Sequence, residues 1–253
     1  NKKTYAGSIG DVSIFSFGIM KNVCAIFGGS LVTSNKDIYN YSIKKNNEYK
    51  KFSRFLYFKK SLLFLILKFS LSKYIYNYLF FYVIKIATIK KIKPLLNMFY
   101  PALKFKNKIN LPENYYSKIS NLSLNIISNY IESNDFVIET AARSRNNKLY
   151  QNYFENHKYI EIIKINDFNY QNFLDYPILV KNKDELVNFL LNRGLETRVH
   201  FYSNCEDTKD LINSKNSQDF EDKLICLPSH SKITLNKIKE YCSSISDFYG
   251  SNN

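Results

Sequence analysis

The sequence runs to 253 residues, 45% of them hydrophobic, which supplies enough apolar material for a folded core and excludes a disordered chain. Its net charge of +14 points toward nucleic acid or a membrane surface, but the charge is concentrated. Lys44 to Lys108 holds sixteen Lys or Arg against one acid, Glu48, and the rest of the chain is close to neutral. Cys24, Cys205, Cys226 and Cys242 lie far apart with no CxxC pair, which argues against a zinc site or a disulfide framework and for a reducing compartment.

The chain opens on "NKKTYAGSIGD", which reads as the inside of a longer protein and carries no secretory signal. Three zones follow. In residues 1–43, "DVSIFSF" and "GGSLVTS" are short runs rich in β-branched and aromatic residues, bounded by Gly and Ser, and predict two strands. "NKDIYNYSIKK" predicts a helix capped by Ser34 or Asn35.

The second zone, 44–112, is the basic one. Within "RFLYFKKSLLFLILKFSLSKYIYNYLFFYVIKIATIKKIK" the longest uncharged run is Tyr74 to Ile84, well short of the roughly 20 apolar residues that span a bilayer. Helical spacing places Arg54, Ser61, Lys68 and Ser72 on one stripe and Lys73, Asn77, Lys85, Thr88 and Lys91 on another. This predicts helices with a narrow polar stripe and a broad apolar face. Pro94, Pro101 and Pro112 punctuate a connector. A helix pair of this kind, at 52–93, suits an anionic membrane surface. It equally suits a buried hairpin or dimer interface whose lysines reach outward to water. Its aromatics are embedded in aliphatic runs rather than spaced as stacking platforms, which disfavours nucleic acid.

The third zone, 113–253, has the pattern of an α+β domain. "NYYSKISNLSLNIISNYIES" and "VIETAARSRNNKLYQNYFEN" have helical spacing, and "KYIEIIKI" and "YPILVK" read as strands. "NKDELVNFLLNRGLETRVHF" predicts a capped helix stopped at Gly194, then a strand. "DKLICLPSH" reads as a strand running into a turn, and "ITLNKIKEYCSSISDFY" as a closing helix. His157 and His230 read as structural or surface residues, and the cysteines as buried packing residues.

One segment has the residue types of a reactive site. In "GSIGDVSIFSFGIMKNVCAIFGGSLVTSN" a lone amine, Lys21, follows an apolar strand that ends in the hydroxyl of Ser16. A lysine ammonium is a poor nucleophile until its pKa is lowered. The segment resembles the cofactor-lysine region of the DegT/DnrJ/StrS family of pyridoxal phosphate (PLP)-dependent sugar aminotransferases. The resemblance rests on Gly10-Asp11, Ser16-Phe17, Lys21-Asn22, Gly28-Gly29 and Val32-Thr33 at the family's spacing. "LLNRGLETRVHFY" and "LICLPSHSKITLNKIKEY" are similar to the family's C-terminal segments.

The resemblance implies an α/β fold, part of PLP-dependent transferase fold type I. It would comprise the end of the large-domain sheet (1–43), an inserted helical segment (44–112) and an α+β small domain (113–253). Lys21 would be the catalytic lysine that forms the Schiff base with PLP, and Ser16 a ligand of the cofactor phosphate. Arg198 and His200 are candidate substrate contacts, Asp11 a turn or cap residue, and Gly28 and Gly29 backbone pivots; no metal is implied. The implied reaction moves an amino group, glutamate's by the resemblance, onto a nucleotide-linked keto sugar for polysaccharide or lipopolysaccharide synthesis. It would run in a cytoplasmic homodimer; peripheral contact with the inner face of the membrane would come from the insert at 52–93. Three departures are visible: Gly18 stands where the family has His, Phe27 replaces the Glu of its "GEGG", and "LPENYYSKISNLS" stands for its "G.N.R". The remaining cofactor-binding elements would precede Asn1, so this stretch alone is expected to be inactive. The departures also motivate an alternative, an inactive relative serving as a membrane-surface or scaffold protein.

Overall fold

The structure is a computed structural model that describes residues 7–18, 21–99, 115–168, 174–199 and 215–251. β1 (Ser13–Ser16) pairs antiparallel with β2 (Gly29–Val32), in a register that sets Ser13 opposite Val32 and Ser16 opposite Gly29. The Thr33 hydroxyl closes the open end by donating to the Asp11 carbonyl at 2.6 Å. Asn35 then caps α1 (Lys36–Glu48): its Oδ1 accepts from the backbone N–H of Asp37 at 2.9 Å and of Ile38 at 3.2 Å, satisfying two orphan donors of the first turn. A short β3 (Lys50–Lys51) leads to α2 (Arg54–Ser70), whose first turn is capped by Ser53.

The helical stretch that follows runs through α3 (Lys73–Ile75), a π turn (Tyr76–Phe80) and α4 (Phe81–Ile89), then α5 (Lys93–Phe99). β4 (Ser117–Lys118) pairs parallel with β3, and α6 (Asn121–Glu132) and the long α7 (Asn134–Phe154) follow. β5 (Ile160–Ile162), β6 (Asp175–Val180) and β7 (Leu224–Pro228) form an antiparallel sheet with β6 in the middle. Around it come α8 (Lys183–Asn192), α9 (Lys215–Lys223) and α10 (Leu235–Ser251). The predicted stop at Gly194 is real. The residue sits at φ +76, where an L side chain is strained, and Leu195 N returns to Leu190 O at 2.9 Å. Of the strand expected over "RVHF", the described part is a single bridge from Arg198 to Cys226.

The chain divides into two compact units. One is drawn from Asn1–Leu71 and Asn107–Val137, the other from Ser72–Lys106 and Ile138–Asn253. The first is lightly cored. Ala25 and Ile127 are its buried apolar residues among those described, and the buried Ser123 hydroxyl donates to the Ala25 carbonyl at 3.1 Å. The second is densely cored. β6 alternates half-buried and buried positions, and Tyr176 stacks on Tyr150 with ring centroids 5.4 Å apart. Leu186, Leu190 and Leu191 of α8 and Ile245 of α10 are also fully or almost fully buried.

Candidate active site

β1 delivers Ser16 to the sheet end, and the chain then leaves as a loop carrying Lys21. Two backbone bonds pin that loop: Phe17 N donates to Gly28 O at 2.9 Å, and Ala25 N donates to Phe17 O at 2.9 Å. Lys21 N also donates to Gly18 O at 3.3 Å. Phe17 therefore bonds at both N–H and C=O to the 25–28 stretch that leads into β2, while Lys21 stays exposed. Among the described residues the Lys21 amine has no ion-pair or hydrogen-bond partner.

Ser16 is exposed as well. Its Oγ accepts a long hydrogen bond from Gly18 N at 3.4 Å, which leaves the hydroxyl hydrogen available to a ligand. Ser16 is the last residue of β1, and Lys21 follows five positions on in sequence. Asp11 acts through its backbone carbonyl, as the strand clasp described above. Gly29 is required because a Cβ there would lie 2.9 Å from the Phe15 carbonyl oxygen. Gly28 is required by its φ of +126 and by Ile119 Cδ1, which a Cβ would approach to 2.5 Å.

Phe27 is a packing residue. Its ring centroid lies 4.7 Å from that of Phe52 and 6.5 Å from that of Tyr57, and Lys60 Nζ stands 5.9 Å from the Phe27 centroid. A carboxylate would be out of place among those rings. The departure from the family's Glu therefore accompanies the docking of α2 against the lysine loop. Ile26 pairs with this change: it is a β-branched residue at φ +69, centred on a tight turn in which Phe27 N donates to Ala25 O at 2.7 Å.

Arg198 belongs to the other unit. Its Nη1 pairs with Asp175 Oδ2 at 2.6 Å, both side chains being mostly buried, and its backbone bridges Cys226. Burial raises the Asp175 carboxyl above the usual carboxylate range, while Arg198 and Arg143 pull it back down. A substrate anion would have to compete with Asp175 for Arg198. His200 lies outside the described residues.

Beside Arg198, sequence reading missed Glu196. Burial pushes its carboxyl up to about 7, against the pull of Arg198. Tyr76 Oη donates to Glu196 Oε2, and Tyr241 Oη donates to its backbone carbonyl at 2.6 Å. No local pattern announces a contact between residues 120 positions apart. His157 and His230 are both held below the ordinary imidazole range, chiefly by burial. Burial pushes the Cys226 and Cys242 thiols up to about 12, which leaves them unreactive, as packing residues should be. Among the described residues no cluster of three or more His, Cys, Asp or Glu is placed to hold a metal.

The donor set fits an aldehyde-bearing phosphate cofactor in part. Lys21 is an accessible amine with no described carboxylate competing for it, and Ser16 offers a hydroxyl donor for an anion. Both hang from backbone pinned at Phe17.

The fold is that of part of a PLP-dependent transferase. The sequence model of the DegT/DnrJ/EryC1/StrS aminotransferase family matches residues 104–246, more than half of the chain, and the chain belongs to that family. A dTDP-4-amino-4,6-dideoxy-D-glucose transaminase from Shigella dysenteriae is 30% identical over 93 residues, covering 32% of this chain and 24% of that protein. Two solved structures share the fold. The E. coli GDP-4-keto-6-deoxy-D-mannose-3-dehydratase with bound hydrated PLP has a TM-score of 0.61 at 16% identity, covering 97% of this chain and 56% of that one. PseC of Helicobacter pylori, an aminotransferase of pseudoaminic acid biosynthesis, has a TM-score of 0.58 at 15% identity, covering 96% and 55%. The chain spans about a quarter of the curated relative it matches and a little over half of these solved structures.

Proposed function

We propose that this chain carries the cofactor lysine and the C-terminal domain of a PLP-dependent aminotransferase acting on a nucleotide-linked keto sugar. An amino acid, glutamate by family resemblance, would be the donor, and the product would enter polysaccharide or lipopolysaccharide synthesis. The observation that carries this reading is the Lys21 amine, accessible and without a described counter-ion, on a loop pinned at Phe17 beside the Ser16 hydroxyl. When bound, PLP supplies an electron sink for a carbanion at the donor Cα. Lys21 Nζ is the group that moves the proton, accepting it as a general base and returning it as a general acid. Ser16 Oγ orients, by donating to a phosphate oxygen. The backbone bonds at Phe17 anchor the strand end from which both groups extend, which favours positioning. Arg198 and His200 are the side chains we assign to substrate. We further infer a cytoplasmic homodimer that touches the inner face of the membrane, with 44–112 inserted between the large-domain segment 1–43 and the small domain 113–253.

The test uses the whole protein. Lys21→Ala should abolish the visible absorbance of covalently held PLP and lower amino transfer by about 10³-fold or more. Ser16→Ala should weaken PLP retention and leave the absorbance band in place at saturating cofactor. If Lys21→Ala holds PLP and turns over like the parent, the reading is wrong. The second reading, an inactive relative, is favoured by Phe27 and its aromatic neighbours. It predicts no PLP absorbance in the parent protein at all.

A further inference from the structure

α2 is apolar on both sides: Leu56, Tyr57, Phe64 and Leu67 are half-buried on the side turned inward. Ser61 and Ser70 lie on the flanks between the two sides, and Ser61 Oγ has no hydrogen-bond partner among the described residues. Outward it presents Phe55, Phe58, Leu62, Leu65, Ile66 and Phe69, between 48% and 77% exposed. At about 100° per residue these positions share an arc roughly 100° wide. Lys59 borders one edge of that arc, and Arg54 and Lys68 border the other. No acid occurs anywhere from Tyr49 to Pro112. Soluble monomers rarely leave so continuous an apolar strip in water.

The charges on the rim decide what covers it. A second copy of the chain, meeting this helix about a two-fold axis, would set Arg54, Lys59 and Lys68 against basic residues again. Nucleic acid would meet an apolar centre where it needs cations. An anionic lipid surface satisfies both features, with acyl chains for the strip and phosphates for the rim. Seventeen residues make a helix about 25 Å long, short of a hydrocarbon core of about 30 Å. No described helix is long and apolar enough to cross a membrane.

We propose that α2 lies flat in the headgroup region of an anionic bilayer, with its Phe55–Phe69 strip in the acyl boundary and Arg54, Lys59 and Lys68 on lipid phosphates. The second unit carries its own boundary pattern. Tyr74, Tyr78, Tyr82 and Ile86 recur at four-residue steps, all exposed, and tyrosine suits the boundary because its ring is apolar and its tip polar. The inference rests on these helices alone and does not depend on the amino-transfer reading.

Flotation of the full chain with vesicles tests it. The protein should rise with phosphatidylcholine vesicles containing phosphatidylglycerol, stay down with phosphatidylcholine alone, and be released by high salt. Phe58→Gln combined with Phe69→Gln should lower partitioning on the order of a hundredfold. Lys59→Gln combined with Lys68→Gln should lower it on the order of tenfold. The substituted side chains are largely exposed, so far-UV circular dichroism should not change. The chain has no Trp, so Leu62→Trp adds a reporter whose emission should shift to the blue only with anionic vesicles. The proposal fails if the parent ignores anionic vesicles, or if the Phe pair floats like the parent. It fails equally if that pair changes the mass by light scattering and leaves flotation intact, which would assign the strip to a second copy.

Discussion

The unit that carries Lys21 and the unit built on β5–β6–β7 follow opposite rules. In the first, the hairpin strands leave Ile14 at 81% and Val32 at 49% exposure, and the Lys21 side chain stands in water. In the second, alternate positions of β6 vanish into a core shared with α7, α8 and α10. Burial and chemistry have been separated. The C-terminal unit supplies rigidity, while the hairpin presents functional groups on backbone held by a few hydrogen bonds and two obligatory glycines. A consequence is that substitutions should sort by unit more than by residue type.

The largest stability contrast follows directly. Phe154 is fully buried and stacks with Tyr150, so Phe154→Ala should destabilise by about 3–5 kcal/mol. Ile14→Ala removes a side chain that is mostly in water already and should cost no more than about 0.5 kcal/mol. Denaturant melts of the two variants measure both numbers. Comparable losses would mean that the hairpin is packed against more protein in solution than the contrast assumes.

What was legible in the sequence follows the same division. Local devices were readable because they act over a turn or less. The cap of α1, narrowed by the spacing to Ser34 or Asn35, and the stop at Gly194 each carry their reason within a few residues. Contacts that close over long separations left no local signal. Glu196 reads as one more polar residue after a helix, and nothing nearby announces Tyr76 Oη on its carboxyl. Arg198 was marked as a possible anion contact, yet its guanidinium is engaged by Asp175, 23 positions earlier. The α2 spacing predicts a polar stripe and an apolar face, but periodicity cannot say which side turns outward. The exposure of Phe55, Phe58, Leu62, Leu65, Ile66 and Phe69 shows that.

A smaller effect sharpens the comparison through pH. Glu196 has its folded pKa raised to about 7 by burial, above its unfolded value of about 4.3. Whatever this group contributes is fully present below the unfolded pKa and is lost as pH rises toward 7, because only the unfolded chain ionises freely in between. The loss is about 3 kcal/mol at most. Glu196→Gln keeps an acceptor for Tyr76 and cannot ionise. Its melting temperature should therefore fall less, or rise more, than the parent's between pH 5 and 7.5, with the buried His157 and His230 contributing equally to both profiles. If the two profiles fall in parallel, Glu196 is not the group responsible.

The smallest predicted effect has an unusual sign. Ile26 occupies φ +69, a region that costs a non-Gly residue about 1–3 kcal/mol and suits β-branched side chains least. It stands one position before Phe27, where the family's "GEGG" has its first glycine. Truncating a half-buried isoleucine ordinarily destabilises by about 1–2 kcal/mol through lost apolar burial. Here relief of the backbone offsets that loss, so Ile26→Gly should leave the unfolding midpoint unchanged or slightly raised. Gly28→Ala, two residues on, should lower it, since a Cβ there meets both a φ of +126 and the Ile119 side chain. A midpoint that drops for both variants would show that the Ile26 side chain contributes more to packing than its backbone costs. The lysine loop would then owe more to apolar packing around Phe27 than to the hydrogen bonds at Phe17.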